Sequence, residues 1–272
     1  MTGVLSKLHL SKSGYYNYLH RKPSKQSISK KERMQAIQTI YDDNHQIYGA
    51  PKIAKEMQKK GEKISQRTVG VYMREMGIRA CYIKPYVKTT FDSDFSTKLH
   101  NILKRDFSPS KPNEAWCTDI TYIFTLEGFV YLTSVMDLYS RKIIAWTLSR
   151  TLEVEEVLKC IEMARKQRKT ANPVIIHSDR GVHYTSKLYK KLTAGLILSY
   201  SKKGTPWDNA CIESFHSVIK REWLNRTLIY DYDHAYDLCF EYIETFYNTI
   251  RIHSHCGYES PNQYENNYYS KH

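Results

Sequence analysis

Three carboxylates stand where a site built on a β-sheet would need them. Asp119 falls inside residues 116–125 (WCTDITYIFT), a run otherwise β-branched and aromatic. Asp179 follows a short apolar run, residues 173–177, in His177-Ser178-Asp179-Arg180-Gly181. Glu213 lies one turn into a helical stretch after Trp207-Asp208-Asn209. A carboxylate inside an apolar strand is costly unless it is paired or bound to a cation. Two strand carboxylates and one helix carboxylate can converge at a strand-end crevice, where ligands of such sheets bind. Carboxylate oxygens are donors that Mg2+ prefers, alongside water and phosphate oxygens. Singly, each acid has a plainer role: Asp119 bonded to backbone, Asp179 in a turn or cap, Glu213 on a helix surface. Asp137, Asp208 and His177 compete for the same site, and Asp208 also suits the N-cap of the helix carrying Glu213.

The elements that must position these acids can be read from periodicity. Residues 116–125, 129–136 and 142–148 are expected as an antiparallel meander, turning first at Leu126-Glu127-Gly128. A helix over 153–168, a buried strand over 173–177, a helix over 184–193 and a fifth strand over 196–200 follow. Helices over 209–224 and 232–250 end the pattern. The order predicts a mixed sheet covered by helices. Upstream, residues 4–20 read as a short helix interrupted by Gly14, followed by a basic linker. A helix over 31–43 carries Met34, Ile37, Ile40 and Tyr41. A second runs from Pro51 to Lys60, and a third follows the candidate cap Ser65 with Val69, Tyr72, Met73 and Met76 inward. This is the pattern of a helix-turn-helix or of a plain three-helix bundle. Gln66, Arg67, Gly70 and Arg74 fall on the exposed face of the last helix.

Charge favours the DNA-binding alternative. The 272 residues hold 41 Lys+Arg and 28 Asp+Glu, a net charge of +13. Residues 1–107 supply +12 of it and residues 108–272 only +1. Such asymmetry is the footprint of a polyanion site. Hydrophobic content of 41% excludes a disordered tail, and a mean hydropathy of -0.58 with no long apolar run excludes a membrane span. No secretory signal is expected in the first twenty residues. The six cysteines are scattered, without a paired zinc spacing, and read as reduced thiols. Most of the 23 tyrosines are expected to pack half-buried, with some free for bases or phosphates.

Taken in order, these motifs resemble one family. Trp116-Cys117-Thr118-Asp119-Ile120-Thr121-Tyr122-Ile123, His177-Ser178-Asp179-Arg180-Gly181 and Lys203-Gly204 through Trp207-Asp208-Asn209-Ala210 to Glu213-Ser214-Phe215 resemble the DDE core of insertion-sequence transposases. The match is to the second-frame (orfB) protein of the IS-three family, within the retroviral-integrase superfamily. Ser11-Lys12-Ser13-Gly14-Tyr15-Tyr16 and Tyr48-Gly49 resemble its amino-terminal half. Tyr247-Asn248, Arg251, His253, Gly257, Ser260-Pro261 and Tyr264-Glu265 resemble its carboxy-terminal signature, so the likeness spans nearly the whole chain. Two departures stand out. The interval between Asp179 and Glu213 is two residues shorter than the family pattern, with the loss expected before the fifth strand. Cys256 occupies a position that is usually leucine.

The resemblance implies an α/β fold: a ribonuclease H-like mixed five-stranded sheet flanked by helices, preceded by an all-α helix-turn-helix region. The expected organisation is a basic helical segment (1–30), a helix-turn-helix (31–79), a linker (80–112), an integrase-type catalytic core (113–224) and a helical extension (225–272). It implies that Asp119, Asp179 and Glu213 hold two Mg2+ ions, with Mn2+ as a substitute, for phosphodiester hydrolysis and strand transfer. Gln66, Arg67, Arg74, Lys202, Lys203, Asn209 and Lys220 are the expected DNA contacts, solvated surface charge being the alternative for each lysine. His177 is expected to pack near Asp179. The implied partners are double-stranded DNA at element ends and target, further copies of the chain, and an upstream-frame helix-turn-helix and leucine-zipper protein. The implied location is the bacterial cytoplasm, at the nucleoid. The competing readings are a ribonuclease H-like nuclease and a catalytically inactive DNA-binding regulator derived from a transposase.

Overall fold

The computed structural model describes residues 7, 11–20, 22–81, 99–170, 172–202 and 204–271. The chain divides into two compact units, Met1–Ala80 and Cys81–His272.

The first unit is helical. Helix α1 (Lys12–Leu19) begins where the Ser11 hydroxyl accepts from Gly14 N, so Gly14 sits in its first turn and does not interrupt it. Helix α2 (Lys25–Asp43) starts earlier than periodicity suggested, because Ser24 caps it by accepting from Ser27 N; the expected basic linker is helix. Helix α3 (Ala50–Lys59) carries Pro51 in its first turn, where a missing N–H costs nothing. Gly61, with φ 88°, turns the chain towards helix α4 (Gln66–Glu75), capped by Ser65 accepting from Thr68 N. Ile37, Ile40, Ile53, Met57, Val69 and Met73 form the buried seam.

The second unit is the expected mixed sheet. Strands β1 (Ala115–Thr125), β2 (Gly128–Asp137) and β3 (Ile143–Ser149) form an antiparallel meander. Strands β4 (Ile175–Ser178) and β5 (Ile197–Tyr200) add in parallel on the other side of β1, giving the order β3-β2-β1-β4-β5. Helix α5 (Val154–Arg168) buries Val157, Leu158, Ile161 and Ala164 in a core with Trp116, Val135, Ile144, Ile176 and Tyr200. The single helix expected over 184–193 is two, α6 (Val182–Thr185) and α7 (Lys187–Leu192). The chain leaves helical geometry at Ser186, whose hydroxyl then caps α7 through Tyr189 N. From α7 the chain reaches β5 through a tight turn at Gly195, φ 91°, in the stretch where the shortening was expected.

Helix α8 (Ala210–Glu222) packs on β1 and β2. The last long helix is α9 (Tyr232–Phe240), which widens over Glu241–Tyr247 into π-helical turns and then stops. Helix α10 (Pro261–Tyr269) closes the chain. Cys256 is buried with its thiol directed at Ser140 O, so the departure there is accommodated by packing. Of the expected linker, residues 82–98 lie outside the described residues. Its described end is packed: Tyr200 N donates to His100 O, and Ile102 N and Leu103 N both donate to the Ser199 hydroxyl.

Candidate active site

Parallel pairing brings the first two acids together. Cys117 on β1 is in register with His177 on β4. Both strands run the same way, so Asp119 and Asp179 each lie two residues beyond that pair, at neighbouring positions. Ser134 of β2 faces Asp119 from the other side. Asp179 has just left its strand, and its Oδ1 accepts from Gly181 N at 2.8 Å. An added Cβ at Gly181 would stand 3.0 Å from that same oxygen, so glycine makes room for the turn.

Helix α8 delivers the third acid. Its N-cap residue Asn209 is buried and donates from Nδ2 to Thr118 O, which fastens the start of the helix beside Asp119. One turn past Glu213, His216 reaches the sheet, with Nδ1 3.4 Å from Asp119 Oδ2 and Nε2 3.3 Å from Ser134 Oγ. Glu213 itself is exposed as a residue. Its carboxyl group nevertheless loses water to its surroundings and feels Asp119 and Asp179, which together push its pKa up to about 7. Among the described residues no three His, Cys, Asp or Glu side chains close on one point as metal ligands. The raised Glu213 carboxyl reflects first its loss of water and then the neighbouring charges of Asp119 and Asp179. The donor set is all hard oxygen, which fits a hard divalent cation.

The competing residues serve other purposes. Asp137 accepts from Asn113 N and Tyr139 N, and burial pushes it up to about 6. His177 uses both ring nitrogens, on Ser199 Oγ at 2.8 Å and Ser201 Oγ at 3.1 Å. Burial lowers its pKa to about 4, which leaves the ring neutral. Asp208 does not cap α8. Its carboxylate accepts from Asn101 Nδ2, Arg105 Nε, Lys202 N and Thr205 Oγ1, tying the loop before α8 to residues 101–105. Burial would raise its pKa, but those bonds outweigh it and hold the group below its usual range.

Among the residues expected at DNA, Lys202 is exposed and Lys203 lies outside the described residues. Asn209 faces β1 and not solvent; its Oδ1 is buried without a hydrogen-bond partner among the described residues. Lys220 lies on α8 with Nζ 4.3 Å from the Tyr122 ring centroid. Burial lowers its pKa against the opposing pull of Asp119. In the helical unit, Gln66, Arg67 and Arg74 are exposed and line an open groove with Ala50, Ser65 and Gly70. His216 was not singled out from sequence, although its spacing of one turn from Glu213 is the signal that finds it.

Known proteins resemble the chain in all of these parts. A family model for an integrase core domain matches residues 109–206, another so described matches residues 194–261, and an HTH-like domain model matches residues 29–86. The transposase for insertion sequence element IS904 of Lactococcus lactis subsp. lactis (strain IL1403) is 34% identical over 249 residues, covering 91% of this chain and 98% of its own. Transposase InsF for insertion sequence IS3A of Escherichia coli (strain K12) is 33% identical over 266 residues, covering 95% and 91%. A solved HTLV-2 integrase catalytic core domain in complex with magnesium overlaps 57% of this chain and 98% of that one, at 17% identity and a TM-score of 0.44.

Proposed function

The chain belongs to the insertion-sequence transposases that carry an integrase core domain, and from that membership we propose that Asp119, Asp179 and Glu213 are its catalytic, metal-holding residues. The protein is an enzyme of DNA transposition, a DDE polynucleotidyl transferase, and such a core implies dependence on a divalent metal. One observation supports the residue assignment: Asp119 and Asp179 each lie two residues beyond the paired Cys117 and His177 of parallel strands, and both act on the Glu213 carboxyl.

The metal is taken to be Mg2+, two ions, with Mn2+ able to replace it. When bound, it supplies charge neutralisation at the phosphoryl oxygens and activation of the attacking hydroxyl. The chain's residues hold and orient. Glu213 must shed its proton to serve as a ligand. Gly181 N fixes the Asp179 carboxylate, and His216 steadies Asp119 against Ser134. Lys202, Lys203 and Lys220 hold phosphates of the bound strand. Asn209 contributes by joining α8 to β1. Water first attacks the phosphorus at an element end, and the broken bond frees a 3′-OH. That oxygen then attacks a target phosphodiester, and the target strand's own 3′ oxygen leaves.

Gln66, Arg67 and Arg74 read element-end DNA from the groove of the helix-turn-helix. Membership of the family also implies DNA binding and oligomers. The upstream-frame protein is the proposed further partner, and the nucleoid the proposed place of work. No helix among the described residues is long and apolar enough to cross a membrane. The test is Mg2+-dependent nicking and strand transfer on oligonucleotides copied from the ends of the encoding DNA. Joined products that disappear in Glu213→Gln are the expected result; products that persist in that variant overturn the assignment.

A further inference from the structure

The β1–β2 hairpin holds a cluster of rings in solvent that the acids do not use. Tyr122, Phe124 and Phe129 are 55%, 63% and 52% exposed, although rings of this size are ordinarily drawn inward. Tyr122 and Phe124 are two apart on β1, and Phe124 is in register with Phe129 across the hairpin, so all three share one face. The rings meet edge to face, Tyr122 with Phe129 at 5.5 Å between centroids and Phe124 with Phe129 at 5.6 Å. Their support is firm. Thr125 bridges its own turn through Gly128 O and Glu127 N, and Leu126 N donates to Ile229 O.

Two observations direct this face towards DNA. One is charge: the Lys220 ammonium lies over the Tyr122 ring, 4.3 Å from its centroid, and also feels Asp119. The other is position: Tyr122 lies about 10 Å along β1 from Asp119 and on the opposite face, yet Lys220 reaches its ring from α8, the helix that carries Glu213. A strand end opened for cleavage exposes bases that have lost their stacking neighbours, and an aromatic face replaces those neighbours whatever the sequence. We propose that Tyr122, Phe124 and Phe129 form a stacking platform for unpaired bases of the DNA strand end held at the acids. The inference rests on the acids binding a DNA end, and it narrows the ligand from plain duplex to duplex with an opened end.

The test uses the full chain in Ca2+, a hard cation in place of Mg2+. Two DNA probes are compared by fluorescence anisotropy. One is a blunt duplex, and the other is the same duplex with a few unpaired nucleotides containing 2-aminopurine at one end. The opened end should bind at least about tenfold tighter, with the fluorophore quenched by stacking. Phe124→Ser combined with Phe129→Ser should abolish both effects and leave blunt-duplex affinity unchanged. Absence of the preference in the wild type, or its survival in the variant, overturns the proposal. A variant that instead lowers the sedimenting mass while keeping the preference shows the face to be an interface between copies, which also overturns it. Mg2+-dependent nicking of the blunt duplex by the wild type is scored separately, so failure at the acids is seen apart from failure of the platform.

Discussion

Glu213 is the residue whose chemistry is most exposed to test. Its ordinary carboxyl pKa is raised to about 7, first by loss of water and then by Asp119 and Asp179. A group raised on folding stabilises the protein while protonated, and that contribution falls as pH rises from the ordinary 4.5 to about 7. The metal-free protein should therefore melt at a lower temperature at pH 8 than at pH 6 by this group's share. Glu213→Gln should raise the melting temperature most at pH 8, less at pH 6 and little near pH 4; differential scanning calorimetry checks all three. With Glu213 in its proposed role as metal ligand, Mg2+ affinity should fall by up to about tenfold per pH unit below 7. Calorimetric titration of wild type against Glu213→Gln reads that slope. His216 is the second residue to test: His216→Ala should preserve the fold and lower strand transfer by roughly 10–100-fold, the usual cost of removing a residue that orients a metal ligand. The acids were legible in the sequence because each sits in a local motif. His216 was not singled out: its one-turn spacing from Glu213 places it on the same helix face, but its contacts with β1 and β2 are long-range.

The elements show where local reading stops. Capping explains the differences at α2 and α7, where Ser24 and Ser186 begin helices at points that hydrophobic spacing alone does not mark. The π-helical stretch Glu241–Tyr247 has a different cause. Its wide turns, such as Asn248 N to Ile243 O, go with the burial of Tyr242, Ile243, Phe246 and Tyr247, and side-chain periodicity reads the run as ordinary helix. The same region holds the far end of α8. Glu222 accepts from Arg251 Nε and Nη2, both at 2.7 Å, and from the Tyr242 hydroxyl at 2.7 Å, all buried. A buried pair broken on one side leaves its partner charge poorly compensated, at a cost of about 3–5 kcal/mol; here Arg221 Nη2, 3.6 Å from Glu222 Oε1, is the remaining cation. Arg251→Met should thus lose about that much stability in urea unfolding. Adding Glu222→Met should recover much of the loss, because the poorly compensated carboxylate is then gone. Equal destabilisation in the single and double variants would show that the pair is not the main support of that helix end.

At the scale of the whole molecule, the charge asymmetry assigns different work to the two units. Residues 1–80 hold 16 Lys+Arg and 6 Asp+Glu, a net of +10, against +3 for residues 81–272, which hold the acids, as expected if affinity and chemistry are divided. The mixed sheet was legible because its strands are β-branched, aromatic and apolar runs between turns, and its order of elements allows few topologies. The groove of the helix-turn-helix was legible only as a choice between a DNA reader and a plain bundle. Gly70 supplies the physical detail behind it: an added Cβ there would lie 3.6 Å from the Ala50 Cβ, so α3 and α4 meet closely beneath the groove. Arg67 and Arg74 line that groove, exposed, and as phosphate partners each would release counterions on binding. Replacing both with alanine in the full chain should flatten the plot of log affinity against log salt by about 2. Adding Gln66→Ala should erase discrimination between element-end and random duplex, because its amide is the side chain there suited to bidentate adenine contact. Metal-dependent nicking of saturating DNA should survive all three changes, since the acids stand on a different unit. Nicking lost in parallel with discrimination would show that the helical unit contributes directly to the chemistry.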